Sequence, residues 1–280
     1  MRMLGIRAHD FGKNTVEILA KKVSEKGFFS IQLALLKAID GIDFSLGKLS
    51  PGMAYYIKDT FAKENIQIAV LGCYINPIHP DIDERRKQLD RFKEHIRFAR
   101  DFGCSVVGTE TGSLNFGDSY KNENESEEAF ETLIESLKEL VKEAEKFGVI
   151  VGIEGGKNEV LTCPKKMKRA LDIIQSNNLQ VIFDPVNYIS LENYKDQDNM
   201  LKEAFDLFGD RIVMSHAKDF LVKDGFINKA TAPGKGSLNY ELFLRLLKER
   251  KPFVNILLDE VAEADMEESM KFIRNLYDRI

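Results

Sequence analysis

Glu154, Asp184, His216 and Glu260 each follow a short, largely apolar run, at residues 149–153, 181–183, 212–215 and 256–259. Runs this short and this rich in Val, Ile and Leu read as buried β-strands. Three carboxylates and one imidazole make an O3N donor set, suited to holding one divalent metal ion. A metal so held polarises a carbonyl or lowers the pKa of a nearby proton donor. The competing reading is that strand ends are polar and that acids placed there cap helices. For any single residue the two readings stand level. Four in succession, one of them the only His in the second half of the chain, favour a common site.

Such a site needs strands whose ends converge. The chain alternates strand-like and helix-like segments throughout. The strands are expected at residues 3–8, 30–35, 67–73, 105–109, 149–153, 179–183, 211–215 and 254–258. The helices are expected at 14–26, 51–63, 82–102, 125–147, 164–176, 200–208, 238–249 and 265–278, with Asn14 and Ser237 as N-caps. Glycines 27, 103, 148 and 209 follow four of these helices. Strand–helix alternation implies a parallel sheet, and strands apolar throughout are covered on both faces. Eight such units in 280 residues predict one (β/α)8 TIM barrel spanning 1–280, with active groups at the strand C-termini. An open doubly wound sheet is the alternative, but no glycine-rich dinucleotide turn supports it.

Composition narrows the function. Apolar residues make up 44%, enough for a large core, and the net charge is −5 with no basic run. Nucleic acid is therefore not an expected partner. No apolar run approaches the ~20 residues of a membrane helix, and the N-terminus lacks a signal-peptide pattern. Cys73, Cys104 and Cys163 are scattered and odd in number, which fits buried thiols in a reducing compartment. The expectation is a cytoplasmic protein without membrane contact. Its partner would be a small molecule, and a homo-oligomer stays open.

The strings Ile153-Glu154-Gly155-Gly156, Phe183-Asp184-Pro185-Val186-Asn187, Ser215-His216-Ala217-Lys218-Asp219 and Asp259-Glu260-Val261 carry a resemblance. The chain resembles the xylose isomerase-like barrel superfamily, and within it the sugar phosphate isomerase/epimerase group that includes the ketose 3-epimerases. That resemblance implies one divalent metal held by Glu154, Asp184, His216 and Glu260, with Glu154 and Glu260 as the acid/base pair. Mn2+ is the first choice, with Mg2+, Zn2+ or Co2+ as alternatives. It implies a sugar or sugar phosphate substrate and proton transfer through an enediolate.

The chain departs from that pattern in three places. Asn187 stands where many epimerases carry His, no Arg lies between 217 and 236, and Glu159 is offset from the spacing of a further family glutamate. The superfamily also holds a DNA repair endonuclease with a histidine-rich three-metal site. Only four His and an acidic balance oppose that reading. An inositol-type dehydratase or lyase and a non-catalytic metal-containing sugar-binding barrel remain as other readings.

Further residues are expected at the same mouth. His79, Glu110, Asn187, Lys218 and Asp219 are candidate substrate-binding groups, Asp219 also as a partner that orients an imidazole. His9 would line the pocket floor or simply pack, and His95 is expected to be a solvated or half-buried helix residue. The stretch 115–124 and the loop 217–236 are long enough to cover a substrate. Residues 232–237, Ala-Pro-Gly-Lys-Gly-Ser, would cradle a phosphate or form a plain turn.

Overall fold

The computed structural model describes residues 4–114 and 121–280. Ten strands are described: β1 (Leu4–Arg7), β2 (Ser30–Ala34), β3 (Gln67–Gly72), β4 (Val106–Glu110), β5 (Ile150–Glu154), β6 (Leu179–Phe183), β7 (Ile212–Ala217), β8 (Asp219–Lys223), β9 (Phe226–Thr231) and β10 (Asn255–Leu258). The α-helices are α1 (Val16–Glu25), α2 (Leu35–Ala38), α3 (Pro51–Lys63), α4 (Ile82–Phe98), α5 (Lys121–Asn124), α6 (Glu127–Phe147), α7 (Pro164–Ile174), α8 (Gln197–Phe208), α9 (Tyr240–Arg250) and α10 (Met266–Arg279).

Eight parallel strands close a barrel in the order β1-β2-β3-β4-β5-β6-β7-β10, with β10 returning to pair β1. The fold is thus the TIM barrel that the alternation predicts. The strand interiors, among them Leu4, Ile6, Ile31, Leu33, Val107, Ile153 and Val181, are fully buried. Helices cover the outside. Phe183 of β6 turns outward and meets Phe205 and Phe208 of α8 and Phe243 of α9, with ring centroids 5.7–6.2 Å apart. The helix ends obey local chemistry. Ser126 caps α6 by accepting from Ala129 N, and Gly148 closes it in the left-handed region.

Several boundaries differ from the expectation. Thr15, not Asn14, caps α1 by accepting from Ile18 N, while the Asn14 amide donates to the carbonyls of Phe11 and Gly12. Asn239, not Ser237, caps α9 through Leu242 N. The loop at 217–236 is an antiparallel hairpin, β8–β9, turning at Asp224-Gly225 with φ of 51° and 79°. An Asp-Gly pair between apolar-alternating flanks is the signature of such a turn. Residues 115–120 of the expected loop at 115–124 lie outside the described residues. Among the described residues, no helix is long and apolar enough to cross a membrane. Cys73 and Cys104 are buried, and burial pushes their thiols up to about 12 and about 11.

Candidate metal centre and cavity

Strands β5, β6, β7 and β10 are neighbours in the barrel, so their C-terminal ends form one arc of its mouth. The arc brings together Glu154, Asp184, His216 and Asp259, all buried, with one ligating atom of each within 4.8 Å of the others. Three of the four expected residues are in this group. The fourth place is taken by Asp259, and Glu260 stands outside it. The reason is local. Asp259 continues β10 directly, while Glu260 adopts φ +55°, the left-handed region that non-glycine residues rarely enter. Its side chain is 41% exposed and lines the cavity wall. No sequence signal separated the two adjacent acids.

The histidine is held from both sides. His216 Nδ1 lies 3.0 Å from Glu154 Oε1, and Nε2 lies 2.9 Å from Gln32 Oε1 of β2. Both partners are acceptors, so both ring nitrogens carry protons. Burial opposes that charge, but the carboxylates of Glu154 and Asp259 overcome it and push His216 up to about 9. Gln32 in turn donates to Tyr74 Oη at 2.5 Å. Asn187 Nδ2 donates to Glu154 Oε1 at 2.8 Å, placing Asn187 beside the cluster as an orienting group.

Two cations balance the acids. Lys218 Nζ sits 3.2 Å from Asp184 Oδ2, 3.1 Å from Asp259 Oδ2 and 3.3 Å from Glu260 Oε2. Arg7 Nη1 lies 2.5 Å from Asp259 Oδ1. Burial disfavours a charged Asp184 and pushes its carboxyl up to about 6, against the pull of Lys218. Burial acts the same way on Asp259, but His216, Lys218 and Arg7 outweigh it and hold that carboxyl well below the usual range.

The donor set fits one divalent ion. Ligand–metal distances of about 2.0–2.6 Å allow two ligands of one ion to lie roughly 4–5 Å apart. Asp184 Oδ2 is buried and accepts no hydrogen bond, meeting only the Lys218 ammonium. With His216 neutral, the three carboxylates and the imidazole would offer a divalent ion an O3N set.

Above the cluster lies a cavity of about 220 Å3 lined by Arg7, Tyr74, Glu110, Glu154, Asn187 and Lys218, among others. That is below the range of drug-sized pockets and suits a small, polar molecule. Glu110 opens into it from the end of β4, in register with Glu154. Neighbouring protein and the charge of Glu154 push the Glu110 carboxyl up. Glu159 also lines the cavity, its Oε2 accepting from Thr111 N at 2.6 Å and Thr111 Oγ1 at 2.7 Å.

Two expected residues do other work. Asp219 does not reach His216. Its carboxylate accepts from the amides of Phe220, Gly234, Gly236 and Leu238 at 2.8–3.2 Å. The Gly-Lys-Gly turn therefore cradles an internal anion. A Cβ at Gly236 would stand 2.3 Å from Asp219 Oδ1, so only glycine fits. Lys235 pairs with Asp265 and Glu268 on the surface. His79 is half-buried in the loop before α4, where its Nδ1 accepts from Asp81 N, and it does not line the cavity. Gln32, Arg7, Tyr74 and Asp259 were not anticipated as site residues. The first three come from the first half of the barrel, and none carries a spacing that marks it.

A family model described as xylose isomerase-like TIM barrel matches residues 20–276. No curated protein sequence matches the chain. Solved structures share the fold at low identity. One is a D-tagatose 3-epimerase-like protein (18% identity, 99% of this chain and 97% of that one, TM-score 0.76). Another is a xylose isomerase-like TIM barrel protein from Mycobacterium smegmatis in complex with magnesium (17%, 98% and 96%, TM-score 0.74). A third is an IolI protein with a bound zinc atom (16%, 100% and 99%, TM-score 0.70).

Proposed function

The chain belongs to the xylose isomerase-like TIM barrel family, and from that premise we propose that it is a divalent-metal-dependent sugar isomerase or epimerase. The observation that carries this reading is the buried Glu154–Asp184–His216–Asp259 group at the floor of a small polar cavity. Ketose 3-epimerases, a 3-keto-D-glucoside 4-epimerase and metal-containing barrels among the structural neighbours support it.

Glu154, Asp184, His216 and Asp259 would hold the metal, which supplies Lewis-acid polarisation of a substrate carbonyl when bound. His216 must lose a proton for that, and Nδ1 is the nitrogen that faces the carboxylates, while Nε2–H stays on Gln32. Glu154 removes the proton α to the carbonyl. Glu260, outside the ligand group and open to the cavity, delivers a proton from the opposite wall. A residue held at positive φ beside a reaction centre is backbone strain of the kind that functional sites retain. Lys218 stabilises the oxygen charge that develops in the enediolate. Asn187 keeps the Glu154 carboxylate turned toward the substrate. Protein freed of metal and reloaded with Mn2+ should catalyse solvent deuterium exchange at one carbon of a ketose in D2O, read by proton NMR. No exchange on any free, phosphorylated or acidic sugar, with metal bound stoichiometrically, would overturn the reading.

A further inference from the structure

Past the ends of β2 and β3 lies a second, smaller cavity of about 180 Å3. Ala34, Leu36, Gly72, Cys73 and Tyr74 form its largely apolar walls, and Tyr74 lines the main cavity as well. Its two charged groups are both cations, Lys37 and Arg91, and among the described residues no carboxylate lines it. His95 completes the wall and is held neutral by burial and by the Arg91 charge.

Local structure fixes both cationic heads. The single turn α2 follows β2 directly and buries Leu35 and Ala38, which leaves Leu36 and Lys37 on its outer side. Lys37 Nζ stands 3.9 Å from the centroid of the Tyr74 ring. On α4, Arg91 and His95 share a face at i, i+4 spacing. Arg91 Nη2 donates to the Tyr74 carbonyl at 2.6 Å. The ammonium and the guanidinium are therefore both anchored on Tyr74, one on its ring and the other on its backbone.

Those anchors are neutral, and neither head pairs with a carboxylate among the described residues. Arg91 Nε is also buried without a hydrogen-bond partner. Cys73, beside Arg91, is no counter-ion, because burial outweighs the guanidinium and pushes the thiol up to about 12. Glu94, on the next turn of α4, spends its carboxylate on the amides of Gly47 and Leu49 at 3.0–3.3 Å. Glu110 attracts Lys37 from the main cavity without forming an ion pair with it. Elsewhere, Arg7, Lys93 and Lys218, all at least half-buried, each meet a carboxylate. Cations drawn partly out of water normally find such partners, and this cavity leaves room for one.

We propose that Lys37 and Arg91 bind one oxyanion group, a carboxylate or a phosphoryl, in this second cavity. The guanidinium offers a planar fork of donors and the ammonium a point charge, a combination that suits either group. The volume lies below that of a cofactor pocket, so the anion is small. It belongs either to the far end of a molecule in the main cavity, reaching past Tyr74, or to a separate effector. The site stands apart from the isomerase or epimerase reading, since its occupancy requires no step of that reaction.

The test is calorimetric titration of the Mn2+-loaded protein with inorganic phosphate, butyrate and D-fructose 6-phosphate. Wild type is compared with Lys37→Met, Arg91→Gln and Lys21→Met, the last altering an exposed lysine of α1. Lys37→Met and Arg91→Gln should each weaken binding of the preferred anion roughly tenfold or more, while Lys21→Met behaves as wild type. Lys37 is exposed, so its replacement leaves the fold in place and decides the matter if Arg91→Gln does not fold. D-fructose 6-phosphate bound well above both simple anions, with the gain lost in Lys37→Met, assigns the group to the molecule in the main cavity. Phosphate or butyrate bound as tightly assigns it to a separate effector. Binding that is absent for all three anions, or that keeps wild-type strength in Lys37→Met, overturns the site.

Discussion

His95 and His216 are buried alike, yet burial leads them to opposite ends of the scale. His95, in α4 in the first half of the chain, is buried and not solvated or half-buried as expected, because its face of α4 packs inward, and it donates Nδ1–H to the Arg91 carbonyl at 2.9 Å. Burial and the Arg91 charge drive it down to about 4. His216 pays the same desolvation, but carboxylates on three strands push it up to about 9. The contrast extends to the two halves of the barrel. β5, β6, β7 and β10 supply the would-be ligands, whereas β1, β2 and the segment after β3 supply Arg7, Gln32 and Tyr74, which align those ligands. One half holds the chemistry and the other holds the half that holds it.

Breaking the ligand arc should cost most. His216→Ala should lose bound metal by elemental analysis and reduce exchange by roughly a thousandfold. Glu260→Gln should keep its metal and still lose about a hundredfold or more in turnover, which separates proton transfer from ligation. A fall in metal content in step with activity would return Glu260 to the ligand set. Lys218→Met should destabilise the metal-free protein by about 3–5 kcal/mol, since buried carboxylates lose their cation, and Mn2+ should restore most of it. Thermal unfolding with and without chelator reads this directly.

His95 sharpens the contrast through pH. Its folded value lies below the unfolded 6.5, so the unfolded chain binds the proton more readily. Its contribution is constant above pH 6.5, is lost as pH falls toward about 4, and amounts to about 3 kcal/mol. Denaturant titrations at pH 7 and 4.5 should show that loss in wild type and a smaller one in His95→Leu. The smallest effect belongs to the aligning half. Gln32→Leu should weaken metal binding about ten- to a hundredfold without removing a ligand. Unchanged affinity would mean that the first half only encloses the site.

The fold was legible because strand runs buried on both faces and helix stripes repeat eight times, and each repeat restates the same pattern. Glu154, Asp184 and His216 were legible because each follows such a run. Asp259 was not, because two adjacent acids end β10 and only the backbone turn at Glu260 decides which one faces the cluster. Gln32 and Arg7 act on residues 184 and 252 positions away, pairings that only closure of the barrel creates. Asp219 beside His216 looked like a partner for the ring, but successive strand residues point to opposite sides, and its carboxylate turned to the loop. Asp224-Gly225 is the one local sign of the hairpin, and without the strand pairing it is equally the sign of a loop turn.

That one carboxylate has an evolutionary consequence. Asp219 gathers four amides from both ends of the β8–β9 insertion and closes its base, while Val222 and Ile227 pack on the core and Lys229 reaches the Asn187 carbonyl. Only the tip at residues 223–226 is exposed throughout, so that is the part whose length can vary at little cost. Change between lineages is therefore expected at that tip, while the inward side chains and the knot hold the base of the insertion constant.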